Sequence, residues 1–372
     1  MVNIMRRRAE LLAEGHNLID LTIGEVEVKA PDWIHDAFSR ASRDVDVRRY
    51  PQPRGSKELR VAFADFYQRR YGLALDPETE ILPLIGTKEA LSHLGRAYSS
   101  PERPAVLPKV SYPVYRSAAA ATGAPTYEFE GDFSTNYTTR WPKGTENMRG
   151  GIGFVLSVSN PTGAVLDKDS LADLVANARR TEAVLCVDAA YAELGGSKPT
   201  ELALPTHGTD GLIELHSFSK SLAIAGWRVG FAVGDEDILE ALRYHKSFFD
   251  AGLPSPIQAA MAEILPKCDA LLDETRAACV AMQQRLRALI GGLGLEVFDT
   301  DAGLFCWARL PGVSGKELAA ACMEQHLSVV PGFIFGDAGS DFIRMRIIKD
   351  DSLDTELRRR LAAAIEHVSH RR

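Results

Sequence analysis

Lys220 stands in "SFSKSLAIAGWRVGF", Ser217 to Phe231, among two serines, a Gly-Trp-Arg turn and otherwise apolar residues. A lysine in an apolar setting is costly unless it is paired or neutralised. Imine formation is one way to neutralise it, and Lys220 is a Schiff-base former by setting. Ser217, Ser219 and Arg228 in the same stretch are phosphate ligands by type. "VLCVDAAYAEL" carries Asp188 directly after an apolar run. A carboxylate at the mouth of a buried strand needs a cation. An arginine or a helix N-terminus is the structural partner, and a protonated pyridine nitrogen is the functional one. Tyr191, three residues on, can hydrogen-bond a phenolate oxygen of the same ring. In "SVSNPTG", Asn160 can donate to a ring oxygen from a strand end, although Asn160-Pro161 is also simply a rigid turn. In "LIGTKEAL", Gly86, Thr87 and Lys88 can point backbone N–H groups at an anion, where a helix dipole favours phosphate. Thr87 serves equally well as an ordinary helix cap.

These residues need a scaffold that brings strand ends together. The middle of the chain alternates short β-rich runs ("EILPLIG", "PAVLP", "GIGFVLSVS", "AVLCVDAAY", "GLIELHSFSK") with helical stretches such as "LADLVANARR". Strands that are nearly all apolar, taking turns with helices, indicate an α/β fold with a mostly parallel sheet covered on both faces. Ligands of such sheets sit at the carboxyl ends of the strands, where the motifs fall. After about residue 235 long helical runs lead into short strands, which predicts a smaller α+β unit. The expected division is an N-terminal segment, 1–39, packing with the small unit, a large unit, 40–235, and a linker helix with the small unit, 236–372.

The chain has 372 residues, 45% hydrophobic and 25% charged, with a net charge of −7. That balance argues against nucleic acid or an anionic membrane as a partner held by bulk charge. No apolar run approaches the roughly 18 residues of a membrane helix. "MVNIMRRRAELLAEGHN" is interrupted by charge and reads as a helix and not as a secretory signal. Five cysteines without a C-x-x-C pair or zinc spacing fit free thiols in a reducing cytoplasm.

A pyridinium, a phenolate, a phosphate and an aldehyde together describe pyridoxal phosphate. The set "LIDLTIGE", "YPQPRGSKELR", "GTKEAL", "SYPVY", "SNPTG", "DAAY", "SFSKSLAIAGWRVGF" and "VVPGFIFGDAGSDFIRMRI" spans nearly the whole chain and resembles the class I/II aminotransferases, fold type I of the pyridoxal-phosphate enzymes. The resemblance implies a transaminase with ping-pong kinetics, acting on an amino acid and a 2-oxo acid. It implies that Lys220 carries the internal aldimine, Asp188 holds the ring nitrogen protonated, and Asn160 and Tyr191 contact the ring oxygen. By the same resemblance, Tyr112 stacks on the ring, and Gly86, Thr87, Lys88, Ser217, Ser219 and Arg228 cradle the phosphate. Tyr50 reaches the phosphate of the neighbouring subunit of a homodimer. Gly24 and Arg344, assisted by Asn160, take the substrate α-carboxylate.

Three departures from the family pattern bear on specificity. Gly24-Glu25-Val26 replaces the usual Gly-Glu/Asp-Pro. Ala189 replaces a frequent glutamate, as in the diaminopimelate-type branch. Arg346 stands two residues after Arg344, where the family has a small residue. Side chains two apart on a strand share a face, so Arg346 is either a second substrate anchor or part of an ordinary salt bridge. The alternative function is another reaction on the same scaffold, an elimination, replacement, cyclisation or oxidation of an amino acid. A non-catalytic sensor behind a DNA-binding domain is not expected, since "LIDLTIGE" begins near residue 18 and leaves no room for one.

Overall fold

Seven strands form the central sheet, in the order Ile81–Leu84, Gly230–Gly234, Leu212–Ser217, Val184–Asp188, Ile152–Leu156, Ala105–Pro108 and Thr126–Phe129. The structure, a computed structural model, describes residues 2–145 and 147–370. All neighbours run parallel except Gly230–Gly234, which is antiparallel to both strands beside it. The two central strands, "IGFVL" and "VLCVD", are buried along their whole length. Alternate residues feed opposite faces. Phe154, Leu156 and Cys186 join one core, and Val155, Leu185 and Val187 join the other. This two-sided burial is what makes the runs apolar throughout. The register sets Asp188 beside Leu156 and Leu215 at the carboxyl edge.

A second, four-stranded antiparallel sheet follows the order Val330–Pro331, Phe342–Arg346, Phe305–Arg309 and Glu296–Val297. The N-terminal strand Ile19–Asp20 pairs in parallel with Leu327–Ser328 beside it. Two expected boundaries move. The helix Asp32–Asp44 buries Ile34, Ala37 and Ala41 in the large core, so residues 30–39 do not pack with the small sheet. Past 235, the helix Ser255–Ile264 packs on Asp32–Asp44 and on Lys57–Tyr71, still within the large unit. The chain crosses to the small unit along the helix Asp269–Ile290, whose first half adds Leu272 to the large core and whose second half adds Leu286 and Ile290 to the core that also holds the small sheet.

All five cysteines are buried and unbonded to one another. Among the described residues, no helix is long and apolar enough to cross a membrane.

Candidate active site

A cleft of about 650 Å³ opens at the carboxyl edge of the large sheet and is closed on its other side by Thr22–Glu25, Phe305 and Arg344. Lys220 lies on the short helix Phe218–Ser221, which follows directly from the strand Leu212–Ser217. Its ammonium donates to the Gly24 carbonyl. Burial lowers the Lys220 pKa, Glu25 opposes that shift, and the cations Arg228 and Arg344 reinforce it.

Asp188 ends its strand inside the cleft, 4% exposed. Oδ2 accepts from the Tyr115 hydroxyl at 2.8 Å and Oδ1 from the Ala190 N–H at 3.1 Å. Burial pushes its carboxyl up to about 6, against those two hydrogen bonds and nearby His216. Tyr115 is a residue the sequence reading passed over, although "SYPVY" contains it. Its ring stacks on Phe154 at 5.3 Å, which aims the hydroxyl at Asp188. The folded chain holds a proton on Asp188 that the unfolded chain gives up between about pH 4 and pH 6. Asp188 therefore lowers the stability of the cofactor-free protein as pH rises through that window. Cofactor-free Asp188→Asn is expected to melt above cofactor-free wild type at pH 8 and level with it below about pH 4, as thermal melts at the two pH values will show.

The residues read as phosphate ligands meet in one place. Thr87, Lys88, Ser217, Ser219 and Arg228 all line the cleft. Gly86, at φ +73°, is the N-cap of the helix Thr87–Tyr98, so Thr87 is the first helical residue and not the cap. A Cβ on Gly86 would meet Arg228 Nη2 at 2.5 Å, so a side chain there would push the guanidinium aside, and the positive φ would strain it as well. Arg228 itself adopts φ +54°. It donates to the Ala225 carbonyl at 2.9 Å, with Ser219 Oγ at 3.5 Å. The first N–H groups of the helix have no acceptor within it, as at every helix start.

Arg344, 5% exposed, donates to Asn160 Oδ1 at 2.8 Å and to the Thr22 carbonyl at 2.5 Å. Its guanidinium lies over Phe305, 4.1 Å from the ring centroid, and burial lowers its pKa to about 10. Its Nε has no hydrogen-bond partner among the described residues. Tyr191 is buried against Asn160, with its ring edge-on to Phe305. Tyr112 lines the cleft at the start of the helix Pro113–Ala120. Gly24 needs its missing side chain, since a Cβ would meet Phe305 Cζ at 2.6 Å. Phe305, Thr22 and Glu25 also line the site, and no short motif singles out the first two.

Tyr50, expected at the neighbouring subunit's site, and Arg346 do not line this cleft. Tyr50 is 90% exposed, outside this cleft. Arg346 shares the strand of Arg344 but does not line the cleft. It pairs with Glu27 at 2.5 Å and donates to the Asp20 carbonyl at 3.0 Å. Glu27, itself also held by the Lys349 N–H, occupies the guanidinium, which favours the salt-bridge reading of Arg346 over the second substrate anchor. Arg344→Met is expected to raise KM about a hundredfold, and Arg346→Met less than tenfold. The spread reflects a buried charge-assisted pair against a partly exposed one, and steady-state kinetics separate the two.

The sequence profile of the family aminotransferase class I and II matches residues 16–361. The chain belongs to the class I and II aminotransferases. The LL-diaminopimelate aminotransferase of Dehalococcoides mccartyi is 31% identical over 356 residues, covering 94% of this chain and 92% of that protein. The enzyme of the same name from Syntrophobacter fumaroxidans is 34% identical over 359 residues, covering 93% and 91%. The apo structure of BacF from Bacillus subtilis superposes with a TM-score of 0.91 at 26% identity, covering 97% of this chain and 94% of that one.

This aminotransferase depends on pyridoxal 5′-phosphate, as its family does. The residues of the cleft fit that group. Asp188 is a buried carboxylate that burial destabilises, which suits a ring N–H⁺. The turn at Gly86, kept bare beneath the Arg228 guanidinium, suits a phosphate.

Proposed function

We propose that this aminotransferase moves the amino group of a diaminopimelate-type amino acid to a 2-oxo acid, with Lys220 as the proton carrier. The observation that carries the reading is the meeting of Lys220, Asp188 and Arg344 in one cleft. When bound, the cofactor supplies an aldehyde that condenses with amines and a ring that takes up the electron pair left when Cα loses its proton. Asp188, oriented by Tyr115, would pair with the ring nitrogen and keep it protonated. Asn160 and Tyr191 would hold the ring oxygen, and Tyr112 would pack against the ring. Thr87, Lys88, Ser217, Ser219 and Arg228 hold the phosphate, with Gly86 leaving room. Arg344 and Asn160 bind the α-carboxylate beside Gly24, which fixes which Cα bond faces Lys220. Lys220, its pKa lowered by burial, carries a larger fraction of free amine than an exposed lysine. It would take the proton from Cα of the bound amino acid and hold it for return.

The substrate class rests on the named relatives and on charge. Among the described residues that line the cleft, the only acid besides Asp188 is Glu25, an exposed carboxylate, and Lys88 is exposed in the same cleft. A far end bearing both an ammonium and a carboxylate complements this pair. The test is to incubate holoenzyme with LL-diaminopimelate, lysine, aspartate or alanine, each with 2-oxoglutarate, and score new glutamate. Diaminopimelate is expected to give the highest kcat/KM, and a clear preference for aspartate or alanine would sink the proposal.

The same reading makes the enzyme a homodimer in a reducing compartment such as the cytoplasm. Tyr50, Val47, Tyr244, Phe248 and Phe249 are large apolar or aromatic side chains left exposed, and Tyr50 is assigned to the partner's phosphate. Mixing inactive Tyr50→Ala and Lys220→Ala proteins is then expected to restore activity, because one site of each hybrid dimer regains both residues. Mixtures that stay inactive after subunit exchange would count against it.

A further inference from the structure

Behind the cleft, a fully buried ammonium holds the turn that carries Gly86. Lys246, 0% exposed, sits near the end of the helix Glu236–Ser247. Its Nζ donates to Glu89 Oε1 at 2.8 Å and to Asp250 Oδ1 at 2.7 Å. Glu89 Oε1 also accepts from the Ile85 N–H at 2.7 Å, which closes the strand-to-helix turn Ile85–Gly86–Thr87 from behind. Asp250 Oδ1 also accepts from the Gly252 N–H at 2.7 Å. Gly252 in turn packs on Gln52, where a Cβ would meet the carbonyl oxygen at 2.8 Å. Glu89, His93 and Asp250 offer ligand atoms within 4.8 Å of one another, a spacing that suits a divalent cation. The Lys246 ammonium already bridges both carboxylates, so the cluster is an internal ion network and not a metal site.

We propose that Lys246, acting through Glu89, is a positioning residue for the cofactor phosphate. The inference rests on reading Gly86–Lys88 as part of the phosphate cradle. Two effects carry it. A carboxylate accepts a stronger hydrogen bond from an N–H than a neutral carboxyl does, and where burial raises the Glu89 pKa the Lys246 ammonium at 2.8 Å opposes that rise. Lys246 therefore keeps the Ile85 N–H tightly held and the Thr87 and Lys88 N–H groups aimed into the cleft. Lys246 also cancels the charge of a carboxylate in the first turn of the helix that faces the phosphate, where like charges repel strongly at short range. Without Lys246, Glu89 either takes a proton and loosens the turn or stays charged and repels the phosphate.

The test compares two probes that differ only in the phosphate. Cofactor-free wild type, Lys246→Met, Glu89→Ala and the double variant Lys246→Met/Glu89→Gln are titrated with pyridoxal phosphate and with pyridoxal, and Kd is read from absorbance and fluorescence. Wild type is expected to prefer pyridoxal phosphate. Both single variants are expected to cut that preference about tenfold or more, the scale of one charge-assisted hydrogen bond, while pyridoxal affinity holds. The double variant is expected to recover most of the preference, since the glutamine amide oxygen still accepts from Ile85 and carries no charge. If Lys246→Met fails to fold, Glu89→Ala decides alone. A preference unchanged in the single variants, or equal weakening of both probes, overturns this inference and leaves the cradle reading intact. A wild type without any preference overturns the cradle reading and this inference with it.

Discussion

Lys220→Ala is expected to lower turnover roughly 10⁴-fold or more while the protein still binds pyridoxal phosphate. The proposed phosphate cradle and Asp188 do not depend on the lysine, so binding is expected to survive. The variant has no amine within reach of Cα, so proton transfer is left to water, and it lacks the covalent tether. Its bound cofactor is expected to absorb as the free aldehyde and to resist borohydride fixation to the chain. Lys220 is suited to the task because its environment, not its type, lowers its pKa. Burial disfavours the ammonium, and Arg228 and Arg344 add to that effect. Glu25 works in the opposite direction, so Glu25 also moderates how much free amine Lys220 offers. An absorbance titration of the holoenzyme together with single-turnover rates checks the prediction. Unimpaired turnover in Lys220→Ala would end the assignment of this residue.

Asp188→Asn is expected to cost about 10²–10³ in kcat, the scale for removing one preorganised group aimed at developing charge in a dry site. Burial disfavours this carboxylate, and the hydrogen bonds from Tyr115 and Ala190 only partly offset that, so a ring N–H⁺ beside it is the cation that would keep it charged. An asparagine keeps the shape: its oxygen accepts from Ala190 and its amide nitrogen reaches Tyr115. The variant therefore isolates charge from geometry. Tyr115→Phe probes the other half, since it leaves the charge and removes the orienting hydroxyl, and its smaller loss is expected in kcat more than in KM. Equal losses in the two variants would mean that orientation, not charge, is what Asp188 contributes.

The residues that were legible in the sequence share one property. Lys220, Asp188 and Asn160 are polar groups abutting apolar strands, so local context alone marks them as expensive and in need of a reason. Gly86 and Arg228 could be read from residue type and turn position. Tyr115 was silent, because its partner lies 73 residues away and only the packing of its helix across the sheet aims the hydroxyl. Phe305 is an ordinary core residue until the fold brings it beneath Arg344. Arg346 kept two readings open because face-sharing on a strand does not say what lies opposite, and Glu27 comes from 319 residues earlier. The network of Lys246 was likewise invisible, since "RYHKSFFD" looks like the end of an amphipathic helix. The alternating strands identified the large sheet, but the boundaries at 39 and 235 moved. An apolar helix such as Ser255–Ile264 carries no mark of which layer will cover it.

The absence of any accessible thiol gives the chain a built-in stopwatch. Burial pushes the sulfhydryls of Cys268, Cys279, Cys306 and Cys322 up to about 12, so maleimide dyes find almost no reactive thiolate in the native state. Cys268 closes the large core, whereas Cys279, Cys306 and Cys322 belong to the core that reaches the small sheet. The order in which the dye labels them at rising denaturant would therefore time the opening of each layer separately.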